Sequence, residues 1–214
     1  MTTGDAKLLP EVEAYVADCL DEFDQIDVDR MTLLEKISAY VVSKEHDDQP
    51  ARLIFICTHN SRRSHMAQLL AQAAAHHFSI LGVEAFSGGT EATAFNPRAV
   101  AALRRAGFTI EFFTDGKNPV YEVRYEAQME PICVFSKIYD EPPNPTESFA
   151  AMMTCSAADD ACPVVTGADE RIAIPYDDPN AFDGTESEAD KYDERCRQIA
   201  REMLYVFSQV ARKG

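Results

Sequence analysis

The apolar run Leu53-Ile54-Phe55-Ile56 stops at Cys57, and a strongly helical stretch begins at Ser64. Four apolar residues without polar alternation read as a strand buried on both faces, the kind that parallel sheets use. Residues 64–73, Ser-His-Met-Ala-Gln-Leu-Leu-Ala-Gln-Ala, consist largely of good helix formers. A buried strand that passes through a tight loop into a helix starts a crossover connection, so the chain is committed to α/β architecture.

The rest of the chain repeats that unit. Residues 83–87 read as a second strand, closed by Gly88-Gly89. Pro97 opens a helix at its first position, and the helix runs to about Ala106 and stops at Gly107. Residues 149–154 form a third core strand leading into Cys155, and residues 171–175 a fourth leading into Asp177-Asp178-Pro179. A long last helix starts at the capping box Thr185-Glu186-Ser187-Glu188 and buries Tyr192, Cys196, Ile199, Met203, Val206 and Val210. Residues 119–126 and 131–137 read as an inserted β-hairpin. The expected fold is therefore a four-stranded parallel, doubly wound α/β sheet with an inserted hairpin. Ligands of such sheets bind beyond the carboxyl ends of the strands. Cys57, Ser87, Cys155 and Asp178 all fall there.

Residues 1–48 read as a helical extension, and residues 49–214 as the catalytic unit. Leu8, Leu9, Val12, Val16, Cys19, Leu20 and Phe23 make one apolar stripe, and Met31, Leu34, Ile37, Val41 and Val42 a second, with Asp27 or Asp29 as its cap. The polar stretch Glu45-His46-Asp47-Asp48-Gln49-Pro50 reads as the linker.

With 36 acidic against 20 basic residues the net charge is −16. That balance, without a basic cluster, argues against nucleic acid and against an anionic membrane surface as partners. No apolar run is long enough to span a bilayer. The first residues lack the basic start and apolar stretch of a secretion signal, so a cytoplasmic location with reduced thiols is expected. Cys19, Cys57, Cys133, Cys155, Cys162 and Cys196 are then free thiols, catalytic thiols or metal ligands. Cys19, Cys133 and Cys196 lie on apolar stripes and read as core. Cys155 and Cys162 have no His or further Cys at ligand spacing, which argues against a metal site.

The chemistry concentrates in Cys57-Thr58-His59-Asn60-Ser61-Arg62-Arg63-Ser64. A loop curling over a helix N-terminus makes a cradle of N–H groups for a tetrahedral oxyanion. The same field favours a thiolate on Cys57. Arg63, six residues on, can return to the mouth and clamp two anion oxygens with its planar fork. Ser64 can donate to the sulfur, and Asn60 tolerates the left-handed backbone that a tight loop needs. His65 and Arg62 read as surface residues, with Arg62 available to a larger anion. Glu91 and Asn96 are candidates for ordering the loop floor.

Cys57–Ser64 following Leu53–Ile56 resembles the phosphate-binding loop of the low-molecular-weight protein tyrosine phosphatases and of the thioredoxin-coupled arsenate reductases that share their fold. The resemblance covers about residues 51–214. It implies Cys57 as nucleophile, Arg63 as oxyanion clamp, Ser64 as donor to the thiolate and Asp178, just before Pro179, as general acid. It makes residues 58–64 the substrate-binding loop for arsenate or phosphate.

Cys155 and Cys162, the latter followed by Pro163, resemble the segment that distinguishes the reductases. The implied relay runs from Cys57 to Cys155 to Cys162, with thioredoxin as electron donor and no tightly bound cofactor. Ser87-Gly88-Gly89-Thr90-Glu91, Asn96-Pro97 and Asp183-Gly184-Thr185-Glu186 are similar to reductase segments too. The resemblance also implies a monovalent cation near Asn60 and Ser87. The alternative it leaves open is a phosphatase that hydrolyses phosphotyrosine or small phosphoesters through a phosphocysteine. His59 stands where the family usually has Gly, and the hairpin and residues 1–48 have no counterpart in its compact members.

Overall fold

The computed structural model describes residues 7–162 and 164–213. Helices α1 (Pro10–Leu20) and α2 (Val28–His46) come first, joined by a short 3-10 turn at Phe23–Gln25. Strand β1 (Ala51–Cys57) leads into α3 (Arg63–His77), β2 (Val83–Gly89) and α4 (Pro97–Arg105). Strands β3 (Thr109–Phe112), β4 (Tyr121–Arg124) and β5 (Ile132–Val134) follow. The chain then returns as β6 (Phe149–Met153), α5 (Ser156–Ala161), β7 (Ala168–Ala173) and the long α6 (Glu188–Ala211).

The main sheet has the order β2-β1-β6-β7, with every pair parallel. The apolar run of β1 divides between two cores. Leu53 and Phe55 enter the larger cluster, which lies under α2, α3 and α6, while Ile54 and Ile56 enter a smaller one under α5 with Phe149, Met153 and Ala158. Both faces are covered, which is why the strand carries no polar alternation. Helices α1, α2 and α4 pack on α6, and Val12, Val16, Leu34 and Ile37 belong to the same cluster as Leu53 and Phe55. An ion pair ties this region together: Arg30 on α2 donates to Glu202 of α6 through Nε (2.9 Å) and Nη2 (2.7 Å).

The expected hairpin is present as β4 and β5, and it gains a third antiparallel strand, β3. That strand escapes a pattern reading because Ile110 is its one buried residue. Cys133 is exposed, not core: it sits on the solvent face of the edge strand β5, opposite Glu122. The capping box is also replaced. Helix α6 starts at Glu188, and the Glu188 carboxylate reaches back to accept the Gly184 N–H (2.6 Å), while Thr185 Oγ1 donates to the Phe182 carbonyl. Asp27 does occupy the cap position of α2, but through its main-chain oxygen and not its side chain. Among the described residues no helix is long and apolar enough to cross a membrane.

Candidate active site

The register of the sheet places the site. β1 and β6 pair in parallel up to Ile56 and Met153, so Cys57 and Thr154 leave the sheet side by side. Thr154 holds that exit through its N–H (2.7 Å) and Oγ1 (2.9 Å), both donated to the Ile56 carbonyl. Cys57 and Cys155 are both buried. Their elements meet at Thr58, whose Oγ1 lies 3.5 Å from the Cys155 sulfur.

Between Cys57 and Arg63 three carbonyls of the loop turn outward and accept hydrogen bonds from neighbouring segments. Thr58 O accepts from Glu91 N (2.8 Å) and Thr90 Oγ1 (3.2 Å). His59 O accepts from Ser136 Oγ and Thr93 Oγ1, both at 3.0 Å, and Ser61 O accepts from Asn96 N (2.9 Å). The N–H of a trans peptide points opposite to its C=O, so the N–H groups of the same peptides turn inward. Asn60 adopts φ +43°, the left-handed conformation the turn requires. Glycine is needed at 89, since a Cβ there would collide with main-chain atoms of Thr58, Asn60 and Glu91. Glu91 and Asn96 thus support the loop floor, and Asn96 also caps α4 by accepting the Arg98 N–H (2.9 Å).

Inside the loop, Cys57 Sγ and Ser64 Oγ are 3.1 Å apart, and Asn60 Nδ2 donates to the same hydroxyl at 2.9 Å. With the Asn60 amide filling one acceptor position, the hydroxyl proton is free to point at the sulfur. Arg63 opens helix α3 just before Ser64. Its Nη1 donates to the Tyr176 carbonyl (2.8 Å) and its Nη2 to Asp178 Oδ2 (2.6 Å). Its buried Nε has no partner among the described residues. A 450 Å³ cavity opens here, lined by Thr58, His59, Ser61, Arg62, Arg63, Thr93, Asp178 and Asn180. A larger cleft of 660 Å³ lies between α1, α4 and α6, away from this chemistry, and its arginines Arg105, Arg197 and Arg201 are paired with carboxylates.

Asp178 is part-exposed at the mouth and begins the turn Pro179–Phe182 by accepting the Asn180 N–H (3.1 Å). Arg62 is not a free surface residue. It donates to the Tyr192 hydroxyl (2.9 Å) and lies 3.7 Å from Asp183, on the outer side of the Asp178 turn. Burial, with Asp183 nearby, pushes the Tyr192 phenol up to about 12. His59 is half-exposed at the rim, 3.6 Å from Glu91.

Cys155 begins α5, and its sulfur accepts the Ala158 N–H at 3.4 Å. Cys162 lies at the other end of that helix and is partly exposed. Arg171 holds this end by donating to Cys162 O (2.9 Å), Asp159 O (2.6 Å) and Asp159 Oδ1 (2.5 Å). Pro163, noted in the sequence, lies outside the described residues.

His65 also differs from its surface reading. It is fully buried, stacks on Phe95 (centroids 4.2 Å apart), and its Nδ1 lies 3.0 Å from Ser87 Oγ. Burial, and then the charge of Lys137, holds it well below the usual histidine range, so the ring is neutral at pH 7. Lys137, Ser136 and Asn118 brace the loop from behind and were not among the candidates. The signal available in the sequence was the polar pair Ser136-Lys137 inside the otherwise apolar stretch Ile132–Tyr139.

Comparison with known proteins agrees with the fold. Residues 52–117 match the family model described as low molecular weight phosphotyrosine protein phosphatase. The chain is 31% identical over 160 residues to an arsenate reductase of Bacillus licheniformis, covering 73% of this chain and 94% of that protein. It is 28% identical over 162 residues to an arsenate reductase of Bacillus subtilis, covering 75% and 96%. A low molecular weight phosphotyrosine phosphatase from Vibrio cholerae O395 shares the fold, with TM-score 0.52, 13% identity and coverage of 77% of this chain and 99% of that one.

Proposed function

Because the chain belongs to the family of arsenate reductases built on the low-molecular-weight phosphotyrosine phosphatase fold, we propose that it reduces arsenate to arsenite through Cys57, Cys155 and Cys162. The position of Cys155 carries this reading: its sulfur lies beside Thr58 at the edge of the oxyanion loop.

In the proposed cycle the Cys57 thiolate attacks arsenate, a sulfur–arsenic bond forms, and one oxygen leaves as water. Inward amides and Arg63 hold the remaining oxygens, and Asp178 at the mouth supplies the proton to the leaving oxygen. Cys155 then attacks the Cys57 sulfur. A disulfide forms, the sulfur–arsenic bond breaks, and its electron pair stays on arsenic, which leaves as arsenite. Cys162 attacks Cys155 and frees Cys57, and an external dithiol of the thioredoxin kind reduces the resulting disulfide. The Cα atoms of a disulfide are ~4.4–6.8 Å apart. Residues seven apart along a helix are ~10 Å apart. The last exchange therefore requires α5 to unwind.

A second reading has support of its own. Asp178 is held within 2.6 Å of Arg63 at an open mouth, which equally suits a general acid in phosphoester hydrolysis through a phosphocysteine. One preparation tests both. Cys155→Ser is expected to abolish arsenate turnover with a thioredoxin system and to spare aryl phosphate hydrolysis. Sustained arsenate turnover in that variant would eliminate the relay.

A further inference from the structure

Asp178 reaches the mouth on a short turn, and carboxylates flank that turn at both ends. Asp178 precedes Pro179–Phe182 and Asp183 follows it. Asp183 is the anchored end. It accepts the Tyr192 hydroxyl of α6 at Oδ1 (2.8 Å), and Arg98 Nε of α4 lies 3.6 Å from the same oxygen. Arg98 is itself paired with Glu188 (2.7 Å), whose carboxylate accepts the Gly184 N–H. Tyr192 is fully buried, and its raised phenol keeps its proton at neutral pH, so it goes on donating to Asp183.

Arg62 joins this anchor to the oxyanion loop. Its main chain belongs to the loop: the Ser61 carbonyl before it is held by the Asn96 N–H, and its own carbonyl accepts the Met66 N–H (3.0 Å) as α3 begins. Its largely buried side chain donates from Nε to the Tyr192 hydroxyl (2.9 Å). That bond orients the planar fork. Nη2 then lies 3.7 Å from Asp183 and Nη1 3.9 Å from Asp178, both at ion-pair distance. One side chain therefore meets both carboxylates that flank the turn. The neighbouring Asp177 is 98% exposed and faces Arg195 (3.5 Å) instead.

We infer that Arg62 is a positioning residue: with Tyr192 and Asp183 it clasps the turn to the oxyanion loop and so holds the Asp178 carboxyl where a leaving oxygen needs its proton. Each of its three nitrogens faces a group of this clasp, so Arg62 acts through Asp178 and not on the anion. The inference rests on Asp178 being the acid at an oxyanion site, which both readings above share, and not on the cysteine relay.

The test pairs hydrogen exchange with kinetics. The amides of Asn180, Asp183 and Thr185 are bonded within the turn. In Arg62→Met they are expected to exchange on the order of tenfold faster, the scale of one lost hydrogen bond to a charged group, while amides of β1 and β6 keep their wild-type rates. For phenyl phosphate, a poor leaving group, kcat is expected to fall on the order of tenfold, and for p-nitrophenyl phosphate by much less, because the poorer leaving group depends more on the proton. Affinity for inorganic phosphate, read by calorimetry, is expected to change far less than kcat. Tyr192→Phe should show the same pattern in weaker form, and Asp177→Asn should show none of it. Unchanged exchange of the turn in Arg62→Met would overturn the inference, as would an equal loss on both esters or a loss of phosphate affinity that matches the loss of rate. If Arg62→Met does not fold, Tyr192→Phe decides by the same measurements. If the wild type cleaves neither ester, arsenate turnover replaces them, and Arg62→Met is expected to lower its kcat. Wild-type protein inert towards both esters and arsenate would overturn the functional readings, whereas unchanged exchange overturns the clasp, so the two failures are told apart.

Discussion

Replacing Arg30 by methionine tests whether the first two helices belong mechanically to the site. Arg30 is 16% and Glu202 3% exposed at the side chain, so the pair is held away from solvent. Glu202 also accepts from the Tyr176 hydroxyl (2.8 Å) and from Gln198 Nε2 (3.0 Å). Removing one partner of a buried pair typically costs about 3–5 kcal/mol, because the other charge is left uncompensated. Two donors to Glu202 survive in Arg30→Met, which puts the expected loss near the lower end, about 3 kcal/mol. For a chain of this size that corresponds to a melting temperature lower by roughly 6–12 °C. The double variant Arg30→Met/Glu202→Leu is expected to recover most of the loss, since no buried charge remains. Circular dichroism during heating and urea unfolding at pH 7 measure both. The Tyr176 carbonyl that holds Arg63 lies on the residue whose hydroxyl meets Glu202, so KM for the oxyanion is expected to rise alongside. A single variant within 1 kcal/mol of wild type would refute the reasoning.

Ser64→Ala removes the hydroxyl facing Cys57 and strands the Asn60 amide; a lost bond to a charged group is worth ~1.5–3 kcal/mol, so kcat/KM is expected to fall about 10–150-fold. Asp178→Asn is expected to slow aryl phosphate cleavage by ~10²–10⁴ at neutral pH, and a wild-type rate would remove Asp178 from the chemistry. Lys137 predicts a pH signature in stability. Folding lowers its pKa from 10.5 to about 8, so between those values the unfolded chain binds the extra proton and stability gains from rising pH. The contribution totals up to ~3 kcal/mol. Relative to wild type, Lys137→Met is therefore expected to be more stable at pH 7, with the difference shrinking towards pH 10.5; a difference that does not vary with pH would contradict this.

The loop at residues 57–64 was legible because its determinants are local. A strand buried on two faces needs an unbroken apolar run, and Leu53–Ile56 supplies it. Asn60 sits where a left-handed residue is required. The parts that stayed hidden depend on partners far along the chain. Ser136 and Lys137 read as the end of a hairpin strand, yet their backbone groups bond to Asn118, Asn60 and Gly89, which ends the ladder at Val134. His65 reads as surface because its burial comes from Ser87 and Phe95, which no helical periodicity reveals. Cys133 follows the alternation correctly, but only the sheet order β3-β4-β5 shows that its face meets solvent. Glu188 bypasses the expected capping box because Gly184, at φ +77°, turns its N–H towards that carboxylate.

The small helix between Cys155 and Cys162, pinned by Arg171, has a consequence for electron supply. In a relay that links those sulfurs, the spent enzyme has a different outline from the fresh one, because the coil must be pulled straight to close the bond. A reductant can then sort used molecules from ready ones by shape before touching any sulfur. The ready form keeps its first sulfur tucked inside and offers such a visitor little to grip.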